Sequence, residues 1–415
     1  MATVKPFKAI RPKKGLESKI AALPYDVYSS EEAKIKVKDD DYSFLRIDRA
    51  ETQFDDVYIY SDEVYEKAAR MFRDMLKKGD FVRDENENYY IYELTMDGRT
   101  QTGIVAVCSI DDYLNNVIRK HENTRADKEE DRIRHVDALS AQSGPIFLAY
   151  KSNDTINSIV DRVKEGTPDY DFVSDDGIRH RGFFISDAGD IKAVRKAFDD
   201  MNEIYIADGH HRCASAVKVG LKRREAYKDH NGSEEFNYFL SVLFPDDQLM
   251  IMDYNRVIKD LNGHSPEEIL AFLRDKGQVT ALEKALKPEK KGDITVCLDG
   301  KWYLFTPDPS LIPDDPVDSL DVAVLQNEVL KPLFDINDPK TDKRIDFVGG
   351  IRGLSELERR VGSDCRIAFC MYPTGIHELF RVADANRLMP PKSTWFEPKL
   401  RSGLYIHEIE GGCNE

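Results

Sequence analysis

Four apolar residues, Ile204-Tyr205-Ile206-Ala207, end at Asp208-Gly209, and the chain continues as His210-His211-Arg212-Cys213-Ala214-Ser215-Ala216. No other stretch constrains the fold as much, because this order predicts a short strand that turns directly into a helix. Ala214, Val217 and Leu221 fall on one helical face, with Lys218 and Lys222 on another. Asp208 is a good N-cap, and Gly209 permits a tight turn with close approach to the backbone. A helix start carries unpaired N–H groups and a partial positive charge, which suits an anion such as phosphate. His210, His211 and Arg212 add side-chain donors at the same spot, and a guanidinium meets phosphate as a bidentate fork. Asp208 contributes one carboxylate for a metal or a proton. Two plainer readings stand beside this one. Adjacent histidines without a spaced third ligand fix no metal geometry, and a strand–Asp-Gly–helix junction also occurs as simple turn chemistry.

A chain of 415 residues is long for one core, so two or three domains are expected. Its 41% hydrophobic and 33% charged residues describe a soluble globular protein with a well-solvated surface. The net charge of −16 argues against a protein held on nucleic acid mainly by phosphate neutralisation, while leaving room for a local basic cleft. No apolar run approaches the ~20 residues needed to span a bilayer. Residues 1–14 are basic and lack the apolar segment of a secretory signal, so none is expected. The six cysteines (Cys108, Cys213, Cys297, Cys365, Cys370, Cys413) form no CxxC pair and are expected to be reduced thiols of a cytoplasmic protein.

Toward the N-terminus, Ala21-Ala22-Leu23-Pro24-Tyr25-Asp26-Val27 predicts a strand closed by a Pro-Tyr-Asp turn. A short helix then opens at Ser29-Ser30-Glu31-Glu32, and a second strand is expected at Tyr42-Ser43-Phe44-Leu45-Arg46-Ile47. Asp26 is a catalytic candidate, although an Asp closing a Pro turn is more often a cap. Val64, Ala68, Met71, Phe72 and Met75 recur at helical spacing up to Lys77-Lys78-Gly79. Residues 89–94 and 102–107 predict paired strands around the Asp97-Gly98 turn. Strands at 144–150 and 183–187 alternate with helices at 156–164 and 191–198. This alternation around Asp208 suits an α/β or α+β sheet with a site at the strand ends; the expected class is α+β with mixed sheets. Further on, residues 236–244 and 249–254 predict one hairpin, 294–305 another around Asp299-Gly300, and 266–276 and 320–330 predict helices. A domain boundary is expected near Asn262-Gly263.

Two stretches are unlike ordinary core elements. Ile118-Arg119-Lys120-His121-Glu122-Asn123-Thr124-Arg125-Ala126-Asp127-Lys128-Glu129-Glu130-Asp131-Arg132 is almost devoid of apolar residues. As a helix it would set Asp127 against Asp131 and Lys128 against Arg132, like charges at repelling spacing. It reads either as a charged surface loop or as a polar cleft wall, with Arg125, Lys128 and Arg132 facing anions and Glu122 taking a proton. Near the C-terminus, Pro390, Pro391 and Pro398 surround Lys392-Ser393-Thr394. Proline lowers the entropy cost of holding a loop, and a Lys followed by two hydroxyls suits phosphate or a small zwitterion; a merely rigid loop fits equally well. There is no GxxxxGK[ST] loop, so a nucleotide would bind by another route.

His121-Glu122-Asn123-Thr124-Arg125 with Lys128-Glu129 and Asp131-Arg132, then Asp208-Gly209-His210-His211-Arg212, then Met389-Pro390-Pro391-Lys392-Ser393-Thr394-Trp395-Phe396-Glu397-Pro398-Lys399, together resemble a bacterial and archaeal family catalogued as a domain of unknown function. Its members are often labelled ParB-like, and the three blocks span nearly the full chain. The chain is also remotely similar to the archaeal ADP-dependent free serine kinase, of the ParB/sulfiredoxin-like superfold. That kinase carries a His-Glu pair, a strand ending in Asp-Gly-His-His-Arg, and a late Pro-Lys-(Ser/Thr)-Thr. The likeness implies Glu122 as catalytic base, with Asp208 and His211 as further catalytic groups. It implies Gly209, His210 and Arg212 as the nucleotide-phosphate cradle, joined by Arg125 and Lys128. His121, Lys392, Ser393 and Thr394 would line the acceptor side, and Asp208 is the first candidate for a metal. The segment between the first two blocks is much longer here than in that kinase.

The implied organisation is an N-terminal mixed α/β region (1–115), a ParB/sulfiredoxin-like catalytic core (116–260) and a C-terminal α/β domain (261–415) whose last loop returns to the cleft. The implied activity is that of a cytoplasmic kinase, with ATP or ADP as donor, Mg²⁺ as companion ion and free L-serine as acceptor, giving O-phospho-L-serine. Phosphoryl transfer asks mainly for positioning and local positive charge, and an alcohol needs a base in reach. No membrane partner and no nucleic acid are expected. The alternative is a ParB-like nucleotide-binding, DNA-associated regulator; net charge and the lack of a recognisable helix-turn-helix pair weigh against it. A sulfiredoxin-type enzyme would need a cysteine before the histidine, and Cys213 follows Arg212.

Overall fold

The computed structural model describes residues 1–124 and 126–409, the side chain of residue 127 excepted. The chain forms two compact units, one from Met1–Leu249 together with the segment that begins at Pro398, the other from Met250–Glu397. Both mix helices with sheets.

Among the described residues the first unit carries a nine-stranded mixed sheet. Across it run Ile118–Arg119, Ile204–Asp208, Ile146–Tyr150, Tyr238–Pro245, Arg99–Ser109, Tyr89–Met96, Arg179–Ile185 and Tyr170–Val173, with Val4–Lys5 also paired to Arg99–Ser109. Successive side chains of a strand point to opposite faces. Ile204, Tyr205, Ile206 and Ala207 are all buried, so this strand is covered on both faces, as its unbroken apolar run indicates. Ile204 and Ile206 pack with Ile156 and Ile159 of helix Asp154–Lys164, Val194 and Phe198 of helix Ala188–Asp199, and Cys213 and Val217 of helix His210–Ala226. The Asp-Gly turn closes the hairpin of Tyr89–Met96 with Arg99–Ser109, Asp97 and Gly98 both taking positive φ (51° and 78°).

A satellite cluster gathers around helix Asp62–Lys78 and corrects one expectation. Residues 42–47 are not a strand; Leu45–Asp48 is a helical turn. Phe44, Leu45 and Ile47 are all buried against neighbours that include Phe72 and Phe81. A strand would have sent the adjacent Phe44 and Leu45 to opposite faces, whereas one helical turn buries both.

The charged stretch is not a surface loop either. Ala126–Leu139 is a helix whose buried stripe is Glu129, Arg132, His135 and Leu139, spaced three to four residues apart but mostly polar. Each polar member has a partner. Thr124 donates to Glu129 (2.7 Å) and Lys218 pairs with it, Arg132 binds Asp131 (2.9 Å) and lies over the Tyr25 ring (4.0 Å), and His135 Nε2 meets the Ile47 carbonyl (3.1 Å).

The second unit is built on an antiparallel sheet of Gly277–Leu282, Lys301–Pro307, Ile294–Leu298, Ile367–Met371, Tyr254–Ile258 and Ile345–Gly349. Helix Gly353–Val361 contributes Leu357 to its core, beside Val257, Trp302, Val348 and Cys370. The predicted helix at 320–330 starts as Asp321–Leu325 and continues through a π-helical turn, Gln326–Leu330. The expected hairpin of residues 236–254 does not form. Tyr238–Pro245 is a central strand of the first unit, Ile251–Met252 pairs with Trp395–Phe396, and Tyr254–Ile258 is central to the second sheet. Tyr238–Pro245 and Tyr254–Ile258 are buried on both faces, the second with the polar Asn255 and Arg256, which suits internal strands rather than a partly exposed hairpin.

Candidate functional site

Strand register brings the first two motif blocks together. Ile204–Asp208 pairs in parallel with Ile118–Arg119, Ile204 opposite Ile118 and Tyr205 opposite Arg119. Both chains run the same way, so the residues that follow, His121-Glu122 and Asp208-Gly209-His210, leave the same end of the sheet. The contact is direct: the His121 backbone N–H reaches His210 Nε2 at 3.5 Å, and the two imidazoles stand edge to face with centroids 4.5 Å apart.

The turn itself is held by its own side chains. Asp208 Oδ1 accepts the Gly209 N–H (2.8 Å), and Oδ2 accepts from Lys399 Nζ (2.9 Å). Gly209 takes φ +91°, the left-handed region that glycine adopts without strain. A Cβ there would stand 3.1 Å from Nε and NH2 of Arg212, so the guanidinium lies close against the turn. Arg212 NH1 donates to the Pro145 carbonyl (2.7 Å). Burial alone would push the Asp208 carboxyl up, but Lys399 and Arg212 outweigh it and hold it well below the usual carboxylate range. The helix His210–Ala226 begins here, adding its partial positive charge.

Beside the turn stand two neutral imidazoles and a carboxylate. Burial, with smaller contributions from His211 and Lys120, pushes His210 down to about 4. Burial and the neighbouring His210 push His121 down to about 3. His121 is fully enclosed; among the described residues neither ring nitrogen makes a well-formed hydrogen bond, although the Ile206 backbone acts on the ring. With Nε2 of His210 accepting an N–H, its proton belongs on Nδ1, which lies 3.9 Å from Glu122 Oε2. The Glu122 side chain is 37% exposed, open enough to meet a ligand while remaining beside His210.

Glu122, His121, Asp208, Gly209, His210 and Arg212 are thus gathered at one strand end. His211 is half-buried, and its carbonyl accepts from Ser215 (2.7 Å). Lys128 lies half-buried on the helix Ala126–Leu139, which packs on the site helix through Ser215 Oγ and the Glu129 carbonyl (3.0 Å). Arg125 lies outside the described residues. Asp26 is exposed in its turn. Lys392, Ser393 and Thr394 belong to the second unit. There Lys392 takes φ +58° with its carbonyl bound by Arg256 (3.1 Å), and Ser393 is buried, donating to the Pro390 carbonyl (2.6 Å). Sequence reasoning did not single out Lys399. The available signal was a lysine fixed directly after Pro398, seven residues beyond Lys392 in the same proline-stiffened stretch.

Each Asp208 oxygen already accepts one hydrogen bond, one of them from an ammonium, so a metal ion at this carboxylate would compete with Lys399. Among the described residues no three His, Cys, Asp or Glu side chains converge as a metal site.

Fold and site define a mixed α/β protein in which a polar, histidine-rich turn opens a helix at the end of a buried strand. The chain belongs to the family described as "Protein of unknown function (DUF1015)", whose profile matches residues 4–323. None of the curated proteins compared matches it. Among solved structures, a free serine kinase mutant in complex with ADP is 14% identical, covering 75% of this chain and 95% of that one at a TM-score of 0.36. A conserved hypothetical protein from Pyrococcus furiosus is 16% identical (74% and 95%, TM-score 0.35), and SbnI with C-terminal truncation from Staphylococcus aureus is 11% identical (73% and 87%, TM-score 0.38). Among the described residues no helix is long and apolar enough to cross a membrane.

Proposed function

We propose that the protein is a nucleotide-dependent phosphotransferase that acts on a small hydroxylated metabolite, free L-serine, and makes O-phospho-L-serine. The observation that carries this reading is the Glu122 carboxylate standing 3.9 Å from His210, at the strand end that also bears the Asp208-Gly209 turn. The motif resemblance supplies the reaction class. In this reading the helix N-terminus, Gly209, His210, His211 and Arg212 hold the phosphates of ATP or ADP. Glu122 takes the proton of the acceptor hydroxyl as its oxygen bonds to phosphorus and the shortened nucleotide leaves. Neutral His210 donates through Nδ1–H and adds no charge. Mg²⁺ would be held mainly by the nucleotide phosphates and would offset their negative charge. Arg125, Lys128 and the Lys392-Ser393-Thr394 loop belong to this reading on resemblance alone, as phosphate and acceptor ligands. His121, enclosed behind His210, keeps that ring in place.

The test is direct. Purified protein is incubated with ATP or ADP, Mg²⁺ and a panel of amino acids, and phosphoamino acids are sought by mass spectrometry. O-phosphoserine is the expected product. No transfer to any hydroxyl, combined with salt-sensitive DNA binding, would instead favour the nucleotide-binding regulator.

A further inference from the structure

The first unit holds a second polar space besides the turn. A cavity of about 40 Å³ is lined by Tyr25, Asp48, Arg132, His135, Ser143 and Arg212, among others. One water needs only ~10–15 Å³, so there is room for the charged end of a small molecule. Its walls carry charge of both signs. Asp48 is 4% exposed, and Ser143 donates to its Oδ1 at 3.2 Å, but its Oδ2 has no hydrogen-bond partner among the described residues. A buried carboxylate oxygen left without a donor is costly, on the order of 1–3 kcal/mol or more. His135 offers no compensating charge: burial pushes its pKa down, and its Nε2 already meets the Ile47 carbonyl. The cations present are Arg132, 7% exposed, and Arg212.

A lone anion in this cavity would meet the Asp48 carboxylate, and a lone cation would meet two guanidiniums. A ligand that satisfies both walls carries a cationic N–H donor beside an anionic acceptor. We infer that the cavity seats the ammonio-carboxylate end of a free amino acid, with the ammonium on Asp48 and the carboxylate on Arg132 and Arg212. This deepens the phosphotransferase reading, on which the choice of a hydroxylated amino acid rests. Arg212 links the two places, since its guanidinium also lies against the Gly209 turn. An amino acid gripped at both charged groups leaves its side-chain hydroxyl uncommitted by binding.

The experiment is calorimetry on the full chain without nucleotide, using L-serine, ethanolamine (no carboxylate) and 3-hydroxypropanoate (no ammonium). L-serine is expected to bind, and each truncated ligand to bind about tenfold more weakly or worse, the scale of losing a charged hydrogen bond. Asp48→Asn should weaken L-serine by a similar factor and leave the affinity for ADP or ATP unchanged. Should that variant fail to fold, the ligand series on the unaltered chain decides. Equal binding of either truncated ligand, no amino-acid binding at millimolar concentration, or an unchanged L-serine affinity in Asp48→Asn overturns the assignment. Selective L-serine binding without any phosphoryl transfer upholds the cavity and removes the kinase reading. Transfer to serine with an unaltered KM in Asp48→Asn does the reverse.

Discussion

Lys399 Nζ lies 2.9 Å from Asp208 Oδ2, although the two residues are 191 positions apart in the chain. The segment from Pro398 onward is laced into the first unit by bridges from Ser402 to Ala22 and from Ile406 to Ile10, and by pairing of His407–Glu408 with Ala141–Gln142. The ion pair therefore ties the turn to the end of the chain. Lys399→Met removes the main counter-charge of a carboxylate that burial disfavours. The pair keeps some solvent contact (19% and 34% exposed), so the loss should be modest, about 1–2 kcal/mol. Adding Asp208→Asn should restore part of it. Urea denaturation of the two single variants and the double variant measures the coupling, and a coupling of zero would mean that water already screens the pair.

Glu122→Gln keeps the size of the side chain and removes its ability to take a proton. As the base of the proposed transfer, it should lower kcat by about 10²–10⁴-fold and leave the nucleotide Kd within about twofold. Steady-state kinetics beside nucleotide titration separate the two effects. Normal turnover in this variant would strip Glu122 of its role.

Part of this site was readable from residues alone, for a physical reason. The strand–turn–helix at Asp208-Gly209 is local, and local chemistry fixes it: an apolar run, a glycine at positive φ, then Ala214, Val217 and Leu221 on one helical face. The same holds for helix Pro266–Lys276, whose Ser265–Glu268 capping box is written in four residues. What escaped depends on partners far away in the chain. The stretch 118–132 read as a charged surface loop or a polar cleft wall because it is almost devoid of apolar residues, yet Ala126–Leu139 is a helix whose charged buried face is made tolerable by partners that include Lys218, Asp131 and Tyr25. Residues 236–244 and 249–254 looked like one hairpin because an apolar run does not reveal which sheet it will join. Asp48 directly follows residues 42–47, which read as a strand, and nothing local marked it.

The histidines make stability depend on pH in a defined direction. His210 and His121 are held at about 4 and about 3, burial being the first cause for both, against an ordinary value of 6.5. Between pH 6.5 and about 4 the unfolded chain therefore binds more protons than the folded one, and stability falls as the solution is acidified. Their neutral-state contribution is fully present above pH 6.5 and is lost as pH falls toward the folded values. Each is worth on the order of 3 kcal/mol at the acid end of that window. The urea midpoint should drop from pH 7 to pH 5, and the imidazole NMR signals of both residues should stay fixed over that range. A histidine signal from either residue that titrates near 6.5 would mean its ring is hydrated.

Gly209 and Gly79 allow backbone strain to be separated from contact. Both take positive φ (91° and 74°), but a Cβ at Gly79 meets nothing within 4 Å, whereas one at Gly209 stands 3.1 Å from two atoms of the Arg212 guanidinium. Alanine at either position carries the left-handed cost of about 1–2 kcal/mol. Gly79→Ala should therefore lower the Tm and leave ligand affinity as it was. Gly209→Ala should lower the Tm by at least as much and also displace Arg212, weakening anion binding at the turn. Thermal denaturation gives the first quantity and titration with ADP the second. If both variants bind ADP like the unaltered chain, the Arg212 guanidinium is not part of the nucleotide site, and its hold on the Pro145 carbonyl becomes its main task.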